Sequence, residues 1–212
     1  MEEAMEATAH PAWVIDETGC DPLRESSYES RFAFSNGFLG VRGARAINRA
    51  ARSVGPARTY VAGLFDTPAI ERPMPELVPA ADWLRVRVLL AGGPLAHHIG
   101  EASSHRLTLD MKRGVLLTEC RLLDGTAVSV RARALHLVSL SERAVGLQLI
   151  QLEVEHGEVE VTLEASFEGL DLGLVPQRME KDLGVWRTER SGKGLAMVAA
   201  AVHRCTVLRR HA

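Results

Sequence analysis

Apolar and polar residues alternate with a period of two along much of this chain. Leu84, Val86, Val88 and Leu90 stand against Arg85 and Arg87, and Val128, Val130, Ala132 and Ala134 against Arg131 and Arg133. Val159, Val161, Leu163, Ala165 and Phe167 alternate with Glu158, Glu160, Thr162, Glu164 and Ser166. Successive side chains of an extended backbone point to opposite faces, so each run predicts a strand with one buried and one solvated face. Further strand candidates lie at 13–15, 59–65, 105–109, 115–123, 144–154, 185–190, 195–203 and 205–208. Between Ala144 and Val154 the apolar phase slips from Leu147 and Leu149 to Ile150, Leu152 and Val154. That slip predicts a β-bulge or burial on both faces. Asp124-Gly125 between two strand-like runs is a hairpin signal, and Lys112-Arg113-Gly114 and His156-Gly157 are further turns. Residues 1–12 read as a flexible start, and Leu23 to Tyr28 fits no pattern. About ten short strands with little helix predict an all-β chain, a sandwich or barrel. No repeat or composition break divides residues 13–212, which read as one domain.

One stretch does not follow the alternation. Glu29 to Gly43 reads Glu-Ser-Arg-Phe-Ala-Phe-Ser-Asn-Gly-Phe-Leu-Gly-Val-Arg-Gly, with Gly37, Gly40 and Gly43 spaced by three. Glycine at this density marks backbone dihedrals or close approaches that a Cβ would block. Phe38, Leu39 and Val41 between the glycines argue for an ordered turn rather than a linker, which would be polar. Beyond it, Ala44 to Arg52 has room for two helical turns that would align Arg42, Arg45, Arg49 and Arg52 on one face. No acidic residue occurs between Arg31 and Phe65. Arg42, Arg45 and Arg49 are therefore either a solvated basic face or a patch for phosphate, a carboxylate or an acidic partner.

Composition narrows the function classes. The chain has 212 residues, 46 % apolar and 25 % charged, with a net charge of −2, so no global field favours nucleic acid or an anionic membrane. Cys20, Cys120 and Cys205 lie far apart and are odd in number, which fits reduced thiols and a cytoplasmic location better than a disulfide framework. The acidic N-terminus lacks signal-peptide character, and no apolar run is long enough to span a membrane.

Motifs that carry chemistry are few. There is no G-x-S-x-G elbow, G-K-[ST] phosphate loop or H-E-x-x-H. The three glycines lack the βαβ context of a dinucleotide fingerprint. His97, His98 and His105 are close in sequence, but no acidic or thiol ligand stands at a recognisable spacing, so surface histidines are expected and no metal. Glu158, Glu160 and Glu164 share one strand face and read as solubilising rather than as paired catalytic carboxylates. Asp66, Asp82 and Asp110 stand at strand ends as turn caps. No cofactor and no catalytic residue follow from these residues.

Several blocks, in order, resemble the N-terminal domain of glycoside hydrolase family 65. They are Trp13 with Asp21-Pro22, Glu29-Ser30 with Asn36 to Gly43, and Thr59 to Asp66. Glu76 to Pro79 with Trp83-Leu84, Leu109 to Leu116, and Val138 to Leu140 follow. The family includes maltose, trehalose, kojibiose and nigerose phosphorylases and acid trehalases. The resemblance implies a large antiparallel β-sandwich, a supersandwich of the galactose mutarotase-like type. It implies that catalysis belongs to a following (α/α)6 barrel, none of whose residues matches this sequence. The chain departs from the family where acidic residues usually follow the Arg-Gly step and Ala44-Arg45-Ala46 stands instead. On this resemblance, Asn36, Gly37, Gly40, Arg42 and Gly43 form a structural or interdomain turn facing the barrel. Carbohydrate or phosphate is implied for the full-length enzyme, and a homodimer is a further expectation. The rival readings are a stand-alone carbohydrate-binding module, for which Trp13, Trp83 and Trp186 are the tryptophans available for stacking, and a self-associating structural domain.

Overall fold

In a computed structural model of the protein the period-two pattern becomes, among the described residues, fifteen strands and one short α-helix. The described residues are 3–19, 21–43, 47, 59–66, 74–80, 82–84, 86–90, 93–94, 104–124, 128–165, 175–180, 183–188 and 195–200.

Five strands make the largest sheet, in the order β1 (Val14–Thr18), β8 (His105–Asp110), β9 (Val115–Asp124), β10 (Val128–Val138) and β11 (Gly146–His156). All its neighbours are antiparallel. A four-stranded sheet holds β2 (Phe34–Ser35), β3 (Leu39–Val41), β4 (Thr59–Asp66) and β5 (Glu76–Ala80) in sequence order. A three-stranded sheet orders β12 (Val161–Ala165), β6 (Val86–Leu90) and β7 (Gly93–Pro94), and another orders β13 (Val175–Glu180), β14 (Leu183–Thr188) and β15 (Leu195–Ala200). The helix, α1, spans Glu25–Arg31.

Register shows how the alternation is used. On the inner face of the five-stranded sheet, Leu107, Leu109, Leu116 and Val138 pack against Phe34, Leu39, Val41 and Val61 of the four-stranded sheet and Tyr28 and Phe32 of the helix region. Further along the same face, Cys120, Leu122, Val130, Ala132 and Ala134 meet Ile47 and β6 residues Val86, Val88 and Leu90. The five-stranded sheet is thus one layer of a sandwich whose second layer is shared between two smaller sheets. Each fully buried aliphatic side chain in these clusters contributes about 1.5–3 kcal/mol.

The outer face of the five-stranded sheet is divided. At one end Val115, Leu117 and Leu135 are buried, with Leu137 and Leu149 packed beside them. At the other end ion pairs link Arg106 to Asp16, Arg131 to Glu119, and Arg121 to Glu155. Hydrogen bonding by Arg106 and by Arg121 holds the carboxyls of Asp16 and Glu155 below the usual carboxylate range. The segment expected to be a flexible start, residues 1–12, is described from Glu3 onward, and its Met5 is buried on the apolar end.

Two sequence expectations change. Leu23 to Tyr28, which fits no pattern, runs into α1; its inward side chains are Tyr28 and Glu29, and Phe32 follows Tyr28 at i+4. The helical expectation for Ala44 to Arg52 fails at Ile47, which makes an isolated parallel bridge with Val86; the other residues of that stretch lie outside the described ones. Of the two causes predicted for the phase slip in β11, burial on both faces holds: residues 148–153 are half-buried on either side of the slip, and the pairing runs unshifted from Gly146 to Val154. The strand does carry a bulge, but at Glu155, past the slip, where Ser129 pairs with His156 and Val130 with Val154.

Candidate functional site

The glycine-rich turn is built around Asn36. It sits between β2 and β3, and its side chain uses every hydrogen-bonding valence of the amide. Oδ1 accepts from the backbone N–H of Phe38 at 2.9 Å and of Leu39 at 2.8 Å. Nδ2 donates to the carbonyl of Ser139 at 2.6 Å and of Arg143 at 2.8 Å. One amide therefore closes its own turn and clamps it to the β10–β11 turn, about a hundred residues away in sequence. That second turn is itself folded by Ser139, whose N–H donates to the Val145 carbonyl and whose Oγ accepts from the Glu142 N–H.

The three glycines have three different reasons. Gly37 adopts a φ of +81°, the left-handed region where a Cβ is strained, and an added Cβ would lie 3.3 Å from Arg143 Nη2. Gly43 passes so close to the helix end that a Cβ would sit 2.2 Å from the Phe32 carbonyl oxygen. Gly40 has neither constraint: an added Cβ would find Ser35 Oγ at 4.0 Å and nothing nearer.

Arg42 points back to α1. Its Nη2 donates to Ser30 Oγ at 3.1 Å and lies 3.6 Å from Glu29 Oε2, whose side chain is 3 % exposed. The arginine read as an anion-binding candidate thus already neutralises a buried carboxylate. Arg45 and Arg49, its companions on the expected basic face, lie outside the described residues. A shallow cavity of about 220 Å³ is lined by Ala33, Phe34, Ser35, Gly40, Val41 and Arg42. That is below the roughly 300 Å³ at which small-molecule sites begin.

The titratable groups in the interior are taken up by structure. His136 on β10 is fully buried; Gln148 spans from its Nε2, at 3.0 Å, to the Leu84 carbonyl, at 2.8 Å. Burial pushes His136 down to about 4, against a weaker opposing pull from the Leu116 backbone, while Nδ1 makes no hydrogen bond of good geometry. With Nε2 accepting from the Gln148 amide, the proton of the neutral ring is assigned to Nδ1. Burial, with the Glu119 charge adding to it, pushes the Cys120 thiol up to about 12, so it is held as the unreactive thiol. Asp110 caps the turn after β8 by accepting from the Arg113 N–H. Burial pulls its carboxyl upward, but hydrogen bonds from Thr8 and Arg113 and the Arg113 charge outweigh that and hold it below the usual range. Asp82 likewise caps Leu84.

His105 is buried on the inner face, His97 and His98 lie outside the described residues, and Glu158 and Glu160 are exposed. Among the described residues no three His, Cys, Asp or Glu side chains converge as metal ligands. Among them, too, no helix is long and apolar enough to cross a membrane. Sequence reasoning missed Gly146, where a Cβ would come within 2.8 Å of the Trp83 ring, and it missed the Ser139–Val145 turn as the partner of Asn36. Neither carries a side-chain signature, since one contact is a missing atom and the other is to backbone.

Comparison with known proteins gives this arrangement a context. A family model described as "Glycosyl hydrolase family 65, N-terminal domain" matches residues 15–201. A kojibiose phosphorylase of Thermoanaerobacter brockii is 25 % identical over 142 residues, which cover 67 % of this chain and 18 % of that protein. One from Caldanaerobacter subterraneus subsp. tengcongensis is 25 % identical over 131 residues, covering 62 % and 16 %. The solved structure of an inferred kojibiose phosphorylase from the human microbiome superposes with a TM-score of 0.69 at 16 % identity, over 85 % of this chain and 26 % of that one, and so shares its fold.

Proposed function

Because the chain belongs to the glycosyl hydrolase family 65 N-terminal domain family, we propose that it serves as the non-catalytic β-sandwich domain of a disaccharide phosphorylase or hydrolase. One observation carries the reading. The family match takes up nearly all of this chain, yet the 142 and 131 residues that align with the two kojibiose phosphorylases are only 18 % and 16 % of those proteins. Residues 13–212 then act as one domain, and the chemistry belongs to a catalytic barrel outside it. In such a parent a carboxylic acid protonates the glycosidic oxygen of an α-linked disaccharide. Phosphate or water attacks the anomeric carbon from the opposite face, with inversion.

The role of this domain is to pack against the barrel. Asn36, Gly37, Gly40, Arg42 and Gly43 form the turn we assign to that contact, because it is glycine-rich and held at both ends, with Gly43 buried beneath it against Phe32. Its rigidity comes from the Asn36 amide and the Gly43–Phe32 contact. Carbohydrate and phosphate are ligands of the assembled enzyme, which we place in the cytoplasm, with the homodimer as its expected state. The stand-alone carbohydrate module is less well supported, since Trp83 is spent in packing against Gly146 and the inner cluster.

The test is direct. This chain alone, incubated with kojibiose, maltose or trehalose and inorganic phosphate, is expected to release no glucose 1-phosphate and no glucose. Turnover of any of them by the purified chain would overturn the assignment.

A further inference from the structure

The N-terminal segment makes a contact that neither the family nor the turn explains. Residues 3–8 cross the apolar end of the outer sheet face, and the sheet holds them largely through their backbone. Arg113, in the turn between β8 and β9, donates from Nη2 to the Ala4 carbonyl at 2.8 Å and from Nη1 to the Glu6 carbonyl. Asp110, fully buried, accepts from the Thr8 N–H at 2.7 Å. A single side chain is buried: Met5, 7 % exposed, on a floor of Val115, Leu117 and Leu135. The neighbours of Met5 from Glu3 to Thr8 are exposed or half-buried.

This division of labour is that of a peptide in a groove. Main-chain groups supply register, and one pocket supplies selectivity. The receptor side belongs to the end of β8, the β8–β9 turn, β9 and β10; the ligand side is contiguous in sequence and ends at His10-Pro11, where a 3-10 turn leads into β1. The two halves are separable in a way that strands within a sheet are not. Without the segment, Leu117 and Leu135, 8 % and 4 % exposed with it in place, would face solvent beside Leu137, Leu147 and Leu149.

We propose that residues 3–8 are a detachable strap, a built-in peptide ligand of the groove formed by Asp110, Arg113, Val115, Leu117 and Leu135, and that in the resting chain it keeps this groove closed to other peptides. The occupant is this chain's own segment. The groove reads an aliphatic side chain at the Met5 position, flanked by two carbonyls offered to Arg113 and one N–H offered to Asp110.

The test uses the whole 212-residue chain. A fluorescein-labelled peptide of residues 1–10 is titrated against the native chain and against a Met5→Asp variant, whose own strap is weakened by a charge aimed at the apolar floor. Anisotropy is expected to rise to saturation with the variant and to stay flat with the native chain. A labelled peptide carrying the same Met5→Asp change is expected to bind neither. Binding to neither chain, or equal binding to both, overturns the proposal. A second measurement does not depend on that variant. In an Arg113→Ala chain, hydrogen exchange at the Thr8 amide should quicken at least about tenfold, while the Leu116 and Ala132 amides keep native protection. Unchanged Thr8 protection in that chain, or Thr8 exchanging in the native chain at the rate of the free peptide, overturns it equally.

Discussion

Replacing Asn36 by alanine removes one side chain but releases two turns. The two carbonyls and two N–H groups it serves lose their partner together, at distances of 2.6 to 2.9 Å. A hydrogen bond contributes about 0.5–1.5 kcal/mol net, and leaving a buried group unpaired costs more than that. The turn lies near the surface, so water can reach part of what is freed, and the loss expected is about 3 kcal/mol. For a domain of this size that lowers Tm by about 6–12 °C. Aspartate separates the clamp from mere bulk. Asn36→Asp keeps the acceptor for Phe38 and Leu39 but places a carboxylate oxygen against the Ser139 and Arg143 carbonyls. At pH 7 it should be at least as damaging as alanine. As pH falls and the new carboxyl takes a proton, one donor returns, and the gap between the two variants should close or reverse. Urea unfolding of the native chain and both variants from pH 4.5 to 8 reads this, because any other titration is common to the three and cancels in the differences. Hydrogen exchange at the Phe38 and Leu39 amides should quicken in the alanine variant before that of the Leu116 amide. An alanine variant within about 0.5 kcal/mol of native, or an aspartate variant as stable as native at pH 7, would refute the clamp.

The glycines should rank by mechanism in thermal melts. Gly43→Ala drives a Cβ into the Phe32 backbone and should cost about 3 kcal/mol or more, and Gly37→Ala about 1–2 kcal/mol for its left-handed φ. Gly40→Ala should stay within about 0.5 kcal/mol, so a cost there as large as at Gly43 would sink the ranking. His136 is neutral in the fold with a value of about 4, against 6.5 unfolded, so the unfolded chain takes up its proton first on acidification. Stability is therefore unaffected by this group above about pH 6.5 and falls between there and pH 4 by up to about 3 kcal/mol; His136→Gln should flatten that part of the profile. Cys120 should resist a thiol reagent at pH 8 until urea unfolds the chain, and peptide mapping that found it modified in the native chain would contradict its burial.

Side chains that face side chains were legible in the sequence. Leu84 to Leu90 alternates because one face of β6 meets the core, and the strands flanking Asp124-Gly125, β9 and β10, pair from Asp124 with Val128 onward. Contacts made to backbone were not. Nothing in Asn36 announces that its partners are the carbonyls of Ser139 and Arg143, and nothing in Gly146 announces the Trp83 ring. Helix α1 was illegible for a related reason. Glu-Ser-Ser-Tyr-Glu-Ser-Arg has no apolar period, and the inward Glu29 is a charge that makes sense only beside Arg42. Met5 was missed because one buried side chain in an acidic, irregular segment sets no period.

The order β1-β8-β9-β10-β11 also sets a timetable for a chain leaving the ribosome. Strands β8 to β11 follow one another in sequence and can zip as a local meander as soon as each emerges. Strand β1 cannot: Val14 pairs with Asp110, so β1 waits for almost a hundred further residues before it has a neighbour. During that interval its N–H and C=O groups are an open edge, which a chaperone or another nascent chain can meet first. Ribosome-bound chains stalled before and after residue 110 emerges differ in that one edge, and protease sensitivity at residues 14–18 should drop between them.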